Sequence, residues 1–390
     1  MMASMRTSRI AKIAVLLAAV AAVERVATQS GAGYLLTQLT MSAYYTLVAL
    51  GLSLLMGYAG QVSLGHAGFF AIGGYTSAVL TTWDLSARRG EELVATLARL
   101  GLLVTRPGAF GGGEVLGVHP WPAFLCAVSL SAGVAWVVGI PVLKLKGHYL
   151  AMATLGVGTI LSSIAVGTAV LGAADGISGV PPFELLPGLR VAGQASVRVA
   201  NYYVAFGLVA AAALLLLNLV HSRVGRALRA IHGAEDAAGA MGVDTARFKL
   251  GTFVLSAALA AVGGSLLTHF NAGIGPSEVS IMKSVRYLAI VAVGGMGSLW
   301  GTLAASLVLN FLSLRGYFGS LDDAVFGAIL ILVMLFSPDG ILALDARGAL
   351  GAVLRRVRRP PLPAEPAAEE VRGVEPAVPV LGGEAGEEGR

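Results

Sequence analysis

Polar residues interrupt an otherwise apolar stretch in the first quarter of the sequence. Residues 57–75 contain six glycines together with Gln61, Ser63 and His66. A helix broken near residues 61–65 would free backbone N–H and C=O groups, which are tolerated at membrane depth only where protein shields them or water reaches them. Such groups suit the charged ends of a zwitterion, because a helix N-terminus favours a carboxylate. We predict that Gln61, Ser63, Gly65 and His66 lie beside a path for a small polar solute. The alternative is a small-residue face that packs on a neighbouring helix.

A second polar region, at residues 222–249, is basic and amphipathic and lies between two apolar runs. Its apolar residues can share one helical face, with the arginines at 223, 226 and 229 largely off that face. The residues of the face are Ala227, Leu228, Ile231, Ala234, Ala238 and Met241. Gly233 interrupts the run and Gly242 closes it. We predict two short helices at the cytoplasmic surface that dock on a soluble partner. The alternative is a solvated loop held inside by its arginines.

Sequence patterns for catalysis are absent. None of the five lysines follows a glycine, so the chain has no P-loop for ATP. No zinc-protease or nucleophile-elbow pattern stands in a suitable context. The single cysteine, Cys126, excludes an internal disulfide and leaves a metal site without its usual cluster. We expect no catalytic residue, no metal site and no cofactor in this chain.

Composition places the chain among membrane proteins. Of its 390 residues, 56% are hydrophobic and 13% charged, and the mean hydropathy is +0.78. Soluble domains carry about 25% charged residues. The unit to count is therefore an apolar run of about 20 residues. The net charge of +5 is better explained by orientation signals than by nucleic-acid binding.

Ten apolar runs predict an all-α, polytopic bundle of eight to ten transmembrane spans with a broken Gly-rich helix and cytoplasmic coupling helices. The runs are 13–23, 34–56, 57–83, 121–143, 148–171, 202–220, 250–270, 285–297, 299–314 and 324–342. The first follows three basic residues, like a signal peptide, but Glu24 and Arg25 come directly after it and favour a span. The runs 285–297 and 299–314 form either one tight hairpin or a re-entrant element.

The connections divide the chain into three parts. Residues 1–33 form an N-terminal segment with the first span, 34–342 the transmembrane domain, and 343–390 a basic and then disordered tail, rich in Pro, Glu and Gly. Residues 84–120 are a polar extracytoplasmic loop with a short surface helix at 91–103. Residues 172–182 and 271–284 are expected to be extracellular as well.

Basic residues set the orientation. Alternate connections hold most of them, and cytoplasmic loops are the ones enriched in Lys and Arg. These residues are Lys144, Lys146, Arg223, Arg226, Arg229, Arg247, Lys249, Arg347, Arg355, Arg356, Arg358 and Arg359. We therefore predict a multi-pass protein of the bacterial inner membrane with both termini in the cytoplasm. Charges are almost absent from the apolar runs, so no proton or sodium relay is expected.

Six segments resemble the permease subunits of bacterial branched-chain amino acid ABC importers, most closely their M-type subunits. They are GYAGQVSLGHAGFFAIGGYTSAVL (57–80), LKGHYLAMATLGVG (145–158), DGISGVP (175–181), the whole of 222–249, AVGGMGSLWGT (292–302) and FSPDGIL (336–342). They occur in the order typical of the family, and the resemblance covers about residues 34–342.

The resemblance implies a helical pore subunit that pairs with a second, homologous permease. Two cytoplasmic ATPases, which hold ATP and Mg²⁺, would dock beneath it, and an extracytoplasmic binding protein would deliver the substrate. It places the ATPase contact at Glu235, Ala237, Ala238 and Gly242. We extend the contact to the neighbouring Arg226, Arg229 and Asp236.

Alternatives within and beyond the family stay open. The loop 84–120 is longer than is usual in the family, and Arg286 stands where an acidic residue is more common, so urea or short amides are alternative substrates. An ion-coupled secondary carrier would need an ionisable group at mid-membrane, for which His66 is the candidate. An intramembrane enzyme would need a nucleophile–base pair that the sequence does not show.

Overall fold

Helices dominate the computed structural model, which describes residues 2–88, 91–107 and 114–336. The α-helices of these residues are numbered α1 to α13 in chain order. They run α1 Met2–Gln29, α2 Tyr34–Ala59, α3 His66–Thr82, α4 Glu92–Arg99, α5 Pro120–Val142, α6 His148–Gly167, α7 Arg198–His221, α8 Arg223–Gly233, α9 Glu235–Ala240, α10 Thr245–Asn271, α11 Ile281–Gly294, α12 Leu299–Leu314 and α13 Asp322–Phe336.

Several of these helices are long and apolar enough to cross a bilayer. Six such stretches occur in the described residues: Tyr34–Ala59, Pro120–Val142, His148–Gly167, Ala195–His221, Thr245–Asn271 and Gly319–Phe336. The helix α12 is apolar but shorter, and α1, α3 and α11 have 28, 17 and 14 residues. These ten helices correspond one for one to the ten predicted runs. The predicted all-α, polytopic fold is therefore confirmed.

The centre of the bundle is formed by α10, which packs between α2 and α3. It runs antiparallel to α2, since Ser256 lies against Gly51 and Gly263 against the Tyr44 carbonyl. It runs parallel to α3, since His66 bonds to Ser256 near one end of α3 and Ser77 bonds to His269 near the other. Between these two contacts, Ala261 lies against Gly73 and Gly264 against the Phe70 carbonyl. Small residues thus bring these three backbones together, as expected for helices packed in lipid.

The helices α11 and α12 form a tight antiparallel hairpin. Gly294 of α11 contacts Gly301 and Thr302 of α12, and Arg286 near the start of α11 donates to Ser313 near the end of α12. The helix α12 then follows α2 along most of its length, with Thr302 bonded to Ser53 and Thr46 to Ser306. The runs 285–297 and 299–314 are therefore joined by a tight turn.

Short strands lie where α3 and α10 end, and we call this the hairpin end of the bundle. Strands β1 Leu103–Pro107 and β2 Glu114–Val118 form one antiparallel hairpin, and β4 Phe183–Leu186 and β5 Leu189–Val191 form another. Strand β3 Ile177–Ser178 pairs with β6 Gly273–Ile274. The segments 172–182 and 271–284 therefore meet at this end.

The sequence prediction for residues 84–120 needs a correction. Helix α4 covers only Glu92–Arg99 of the predicted 91–103, and the residues on both sides of 108–113 form the β1–β2 ladder. Each strand has only five residues, so its alternation was too short to detect in the sequence. The glycines 111–113, residues 337–342 of the predicted last span and the tail 343–390 lie outside the described residues.

Candidate functional site

The basic region 222–249 folds as two short helices at the opposite end of the bundle, which we call the coupling end. Ser222 caps α8, because its side chain accepts a hydrogen bond from Val224 N–H. The cap of α10 is Asp244, whose side chain accepts from Arg247 N–H. Between the two, Gly242 has a φ of +83°, which only glycine adopts without strain. The two predicted helices are therefore observed as α8 and α9.

The apolar face of this region is only partly buried. Leu228, Ile231 and Ala238 are buried, and Arg223, Arg226 and Arg229 are exposed as predicted. Two predicted members of the face, Ala234 and Met241, are exposed instead. The reason is geometric: Ala234 has extended backbone between α8 and α9, and Met241 follows α9, so neither continues the helical period.

Two ion pairs connect α9 to the rest of the bundle. Lys249 of α10 lies 2.8 Å from Glu235, and their side chains are 6% and 27% exposed. Lys146, in the turn between α5 and α6, lies 2.8 Å from Asp236, and both of these side chains are largely exposed. The first pair is shielded from water and fixes α9 on α10, whereas exposed pairs contribute little to stability.

The exposed pair does not make this surface sensitive to pH near neutrality. The hydrogen bond from Lys146 lowers the pKa of Asp236 below its ordinary 3.8, and Asp236 raises the pKa of Lys146 above its ordinary 10.5. Asp236 therefore stops contributing to the stability of the folded protein only when pH falls through its lowered pKa. Lys146 stops contributing only when pH rises through its raised pKa. Both groups stay charged from about pH 5 to 9, so salt rather than pH weakens the pair.

The break predicted in the Gly-rich segment lies at residues 60–65, between α2 and α3. Gly60 ends α2 in the left-handed region with a φ of +67°. From there the chain runs back along the bundle, and Leu64 N–H donates to Thr154 Oγ1 of α6. His66 begins α3 beside Ser256, whose neighbour on α2 is Gly51, eight residues before Ala59. The N-terminus of α3 therefore lies inside the bundle and away from its coupling end.

The predicted path residues differ in how their polar groups are satisfied. His66 is fully buried, with Nδ1 2.9 Å from Ser63 Oγ and Nε2 2.7 Å from Ser256 Oγ. Gln61 is 2% exposed, and neither atom of its amide has a hydrogen-bond partner among the described residues. A Cβ on Gly65 would lie 2.6 Å from the Thr154 carbonyl oxygen, so close packing accounts for this glycine. Among the predicted path residues within the described part of the chain, Gln61 is the one whose side-chain amide has no hydrogen-bond partner.

A cluster of charges lies deeper in the bundle than the sequence indicated. Residues 271–284 were expected to be extracellular, yet after β6 the chain turns inward. The Tyr45 hydroxyl donates to both Glu278 carboxylate oxygens, at 3.0 and 3.1 Å, and Lys283 lies 3.1 Å from Glu278. Tyr45 is in the middle of α2, so these charges lie along the helix bundle rather than beyond its end. Both charges come from a connection between two predicted apolar runs, so a count of charges within the runs did not include them.

Arg286 is also paired. It lies 3.0 Å from Asp323 and contacts Asp322 as well, both at the start of α13. Its guanidinium carbon lies 4.8 Å from the centre of the Phe326 ring. The positive charge on α11 is thus balanced by two carboxylates on α13.

Sequence reasoning missed several residues that these contacts single out. Ser256 and Tyr45 carried no signal, because each occurs within an apolar run without a recognisable pattern. Lys249 was counted only among the basic residues that set the orientation, and its ion pair with Glu235 was not predicted. Glu278 and Lys283 could have been found as two opposite charges close together between apolar segments. Within the described residues, no group of three or more His, Cys, Asp or Glu side chains could hold a metal ion.

Comparison with known proteins gives a consistent family assignment. The family model described as branched-chain amino acid transport system / permease component matches residues 34–334. The high-affinity branched-chain amino acid transport system permease protein LivM of Salmonella typhimurium is 29% identical over 323 residues, which cover 78% of this chain and 68% of LivM.

Two further relatives match almost along their full length. The permease protein LivH of Escherichia coli K12 is 27% identical, over 78% of this chain and 92% of LivH. The permease protein BraD of Pseudomonas aeruginosa is 28% identical, over 79% of this chain and 94% of BraD. No solved structure gives a significant match. Since the family model covers most of the chain and the fold is a polytopic helical bundle, the protein belongs to the family of branched-chain amino acid transport permeases.

Proposed function

We propose that this permease moves branched-chain or other hydrophobic amino acids inward across the bacterial inner membrane, driven by two ATPase subunits that dock on α8 and α9. One observation carries the proposal: the Glu235–Lys249 ion pair fixes α9 to α10, and Ser256 of α10 contacts His66 at the α2–α3 break. Lys249 and Ser256 are separated by about 10 Å of rigid helix. A movement of α9 would therefore shift α10 and, with it, the residues at the α2–α3 break. Such a shift would open the path to one side of the membrane and then to the other.

The proposed assembly follows from the family. A second, homologous permease would complete the pore, a substrate-binding protein would deliver the amino acid, and ATP with Mg²⁺ would be held by the ATPases. The docking surface would comprise Arg226, Arg229, Glu235, Asp236, Ala237, Ala238 and Gly242. Except for Ala238, which is buried, and Glu235, which is partly so, these residues are exposed. This placement requires the coupling end and both termini to be cytoplasmic.

Reconstitution tests the function. The permease is co-purified with its second permease and ATPases, incorporated into liposomes and supplied with loaded binding protein. We expect leucine uptake that requires ATP on the side of α8 and α9. Uptake of urea or a short amide instead of leucine would favour the other substrate class. Uptake without ATP, driven by a pH or sodium gradient, would favour a secondary carrier, although His66 is hydrogen-bonded by two serines and has no charged partner.

Gln61 provides a test of the proposed path. Because Gln61 is 2% exposed, a shorter side chain would leave a cavity, so the test uses Gln61→Met, which keeps the side-chain volume and removes the amide. That amide makes no hydrogen bond within the described residues, so the melting temperature should change little. If the amide hydrogen-bonds the passing solute, we expect leucine uptake to fall about tenfold, the loss of one good hydrogen bond. A variant with wild-type uptake kinetics would instead support a packing role for this segment. Ser63→Ala and His66→Ala disturb an internal network, so they are less informative.

A further inference from the structure

An ion pair that is still partly open to solvent lies near the midpoint of α2. Glu278 and Lys283 are each 18% exposed at the side chain, and both bond to the Tyr45 hydroxyl. At 1.5 Å per residue, Tyr45 lies about 16 Å from the start of α2 and about 21 Å from its end. The hydrocarbon core of a bilayer is about 30 Å thick. The pair therefore lies close to mid-membrane, where ionisable residues are costly and mark substrate pathways.

Additional polar groups surround this pair. The Tyr287 hydroxyl is fully buried and has no hydrogen-bond partner among the described residues, and its ring centre lies 6.3 Å from that of Tyr45. The N-terminus of α11, capped by Ser280, directly precedes Lys283. The N-terminus of α3 meets α11 at the residue after Lys283, where Ala67 N–H donates to Ser284 Oγ. These groups favour an anion close to the lysine, because both helix N-termini carry partial positive charge.

An apolar cavity lies next to the same segment. It has a volume of about 310 Å³ and lies between α3, α5 and α6, with Ile72, Tyr75, Leu161 and Val279 among its lining residues. Val279 follows Glu278 directly in the chain, and the buried Tyr75 hydroxyl has no partner among the described residues. An apolar cavity beside a few polar groups is the usual form of a small-molecule site. A branched aliphatic side chain fits this volume.

We propose that Glu278 and Lys283 bind the α-ammonium and α-carboxylate of a zwitterionic amino acid as it passes mid-membrane, with its apolar side chain directed to the cavity. This inference rests on the proposed function and assigns its substrate class. Each charge of the substrate replaces one partner of the internal ion pair, so no unpaired charge is left in the bundle. Urea and short amides lack two opposite charges, so they would not separate Glu278 from Lys283. Tyr45, bonded to both side chains, holds them in position.

A purely structural role explains the pair less well. Arg286 joins α11 to α13 through Asp322 and Asp323, so a tie between helices already exists there. Glu278 and Lys283 are only five residues apart in one segment, so their mutual pairing joins no two helices, and their connection to α2 passes through the single hydroxyl of Tyr45. A buried ion pair is also often no more stabilising than apolar residues of similar size. Retaining two charges at this depth is better explained if a ligand uses them.

The test uses the reconstituted complex with its binding protein and ATPases. Glu278→Gln combined with Lys283→Met removes both charges and leaves neither unpaired. At saturating leucine-loaded binding protein, we expect leucine uptake per ATP hydrolysed to fall about tenfold or more, the loss of a charge-assisted hydrogen bond. The matched control is Glu184→Gln, which breaks an exposed pair with Arg190 at the hairpin end and should transport as the wild type does.

Each outcome is decisive. Wild-type uptake per ATP in the double variant overturns the inference while leaving the proposed function intact. Failure of the wild-type complex to transport any amino acid refutes the proposed function itself. Should the double variant fail to reach the membrane, Glu278→Asp keeps the charge but shortens its reach, and we expect at least a threefold fall. An unchanged value for Glu278→Asp would also overturn the inference.

Discussion

Gly264→Ala is expected to destabilise the bundle strongly, because it separates the two helices that meet at the centre of the bundle. A Cβ at this position would lie 1.9 Å from the Phe70 carbonyl oxygen and 3.2 Å from Gly74 N. Both are backbone atoms of α3, so the clash cannot be relieved by a side-chain rotation. Overpacking of this kind costs about 1–3 kcal/mol and sometimes more. We expect the loss of stability to lie at the upper end of this range, because α3 is also packed against α10 at Gly73 and cannot easily move away.

The same helix offers a matched control. Gly251 is exposed, and a Cβ there would meet nothing within 4 Å. Gly251→Ala should therefore leave the protein as stable or slightly more stable, because alanine is favoured over glycine in helices by up to about 1 kcal/mol. Thermal unfolding in detergent, followed by the fraction that remains monodisperse, measures both variants. Equal melting temperatures for the two would show that α3 and α10 are not packed as closely as described.

Local patterns explain why the coupling region could be predicted from sequence. Its two helices are marked by glycines close to their ends, namely Gly233 at the end of α8 and Gly242 just after α9. The α2–α3 break is marked in the same way, by Gly60 and the polar residues after it. A structural feature that depends on residues close together in the chain can be predicted from sequence. Here such features are α8, α9 and the break at residues 60–65.

The remaining part of the site depends on contacts between distant segments. Tyr45 meets Glu278 across 233 positions, and His66 meets Ser256 across 190. Neither contact can be inferred from the residues around it in the sequence. The sequence therefore did not predict that residues 275–284 pack inside the bundle. Likewise Ala234 and Met241 fit the apolar pattern but fall where the helices end, and they are exposed. A period of 3.6 residues predicts a face only while the helix continues.

The contacts of α10 connect the coupling end to the proposed path. One helix carries Lys249 near its start, Ser256 beside His66 and Gly264 against α3. The helix α9 touches this element through an ion pair whose lysine is nearly buried. A rigid helix with close-packed glycines transmits a displacement rather than absorbing it, because packed interfaces deform little. The strength of coupling should therefore depend on the contact between α9 and α10.

Glu235→Lys is accordingly expected to abolish uptake while the protein still reaches the membrane. The substitution places a second lysine beside Lys249, whose side chain is 6% exposed. Breaking a shielded ion pair by removing one partner costs about 3–5 kcal/mol, so α9 should leave its position on α10. A loss of about 3 kcal/mol shifts the equilibrium between docked and displaced α9 roughly a hundredfold towards the displaced state. We expect leucine uptake by the reconstituted complex to fall by that order, with normal amounts of permease in the liposomes.

A charge exchange separates the internal tie from direct contact with the ATPase. Glu235→Lys combined with Lys249→Glu restores an ion pair between α9 and α10 with its polarity reversed. If the pair acts by fixing α9, uptake should recover to at least a substantial fraction of the wild-type rate. If the ATPase binds the Glu235 carboxylate itself, uptake should remain absent although the double variant is as stable as the wild type. Undiminished uptake by the single Glu235→Lys variant would contradict both roles, because the energy would then have to enter the bundle somewhere other than α9.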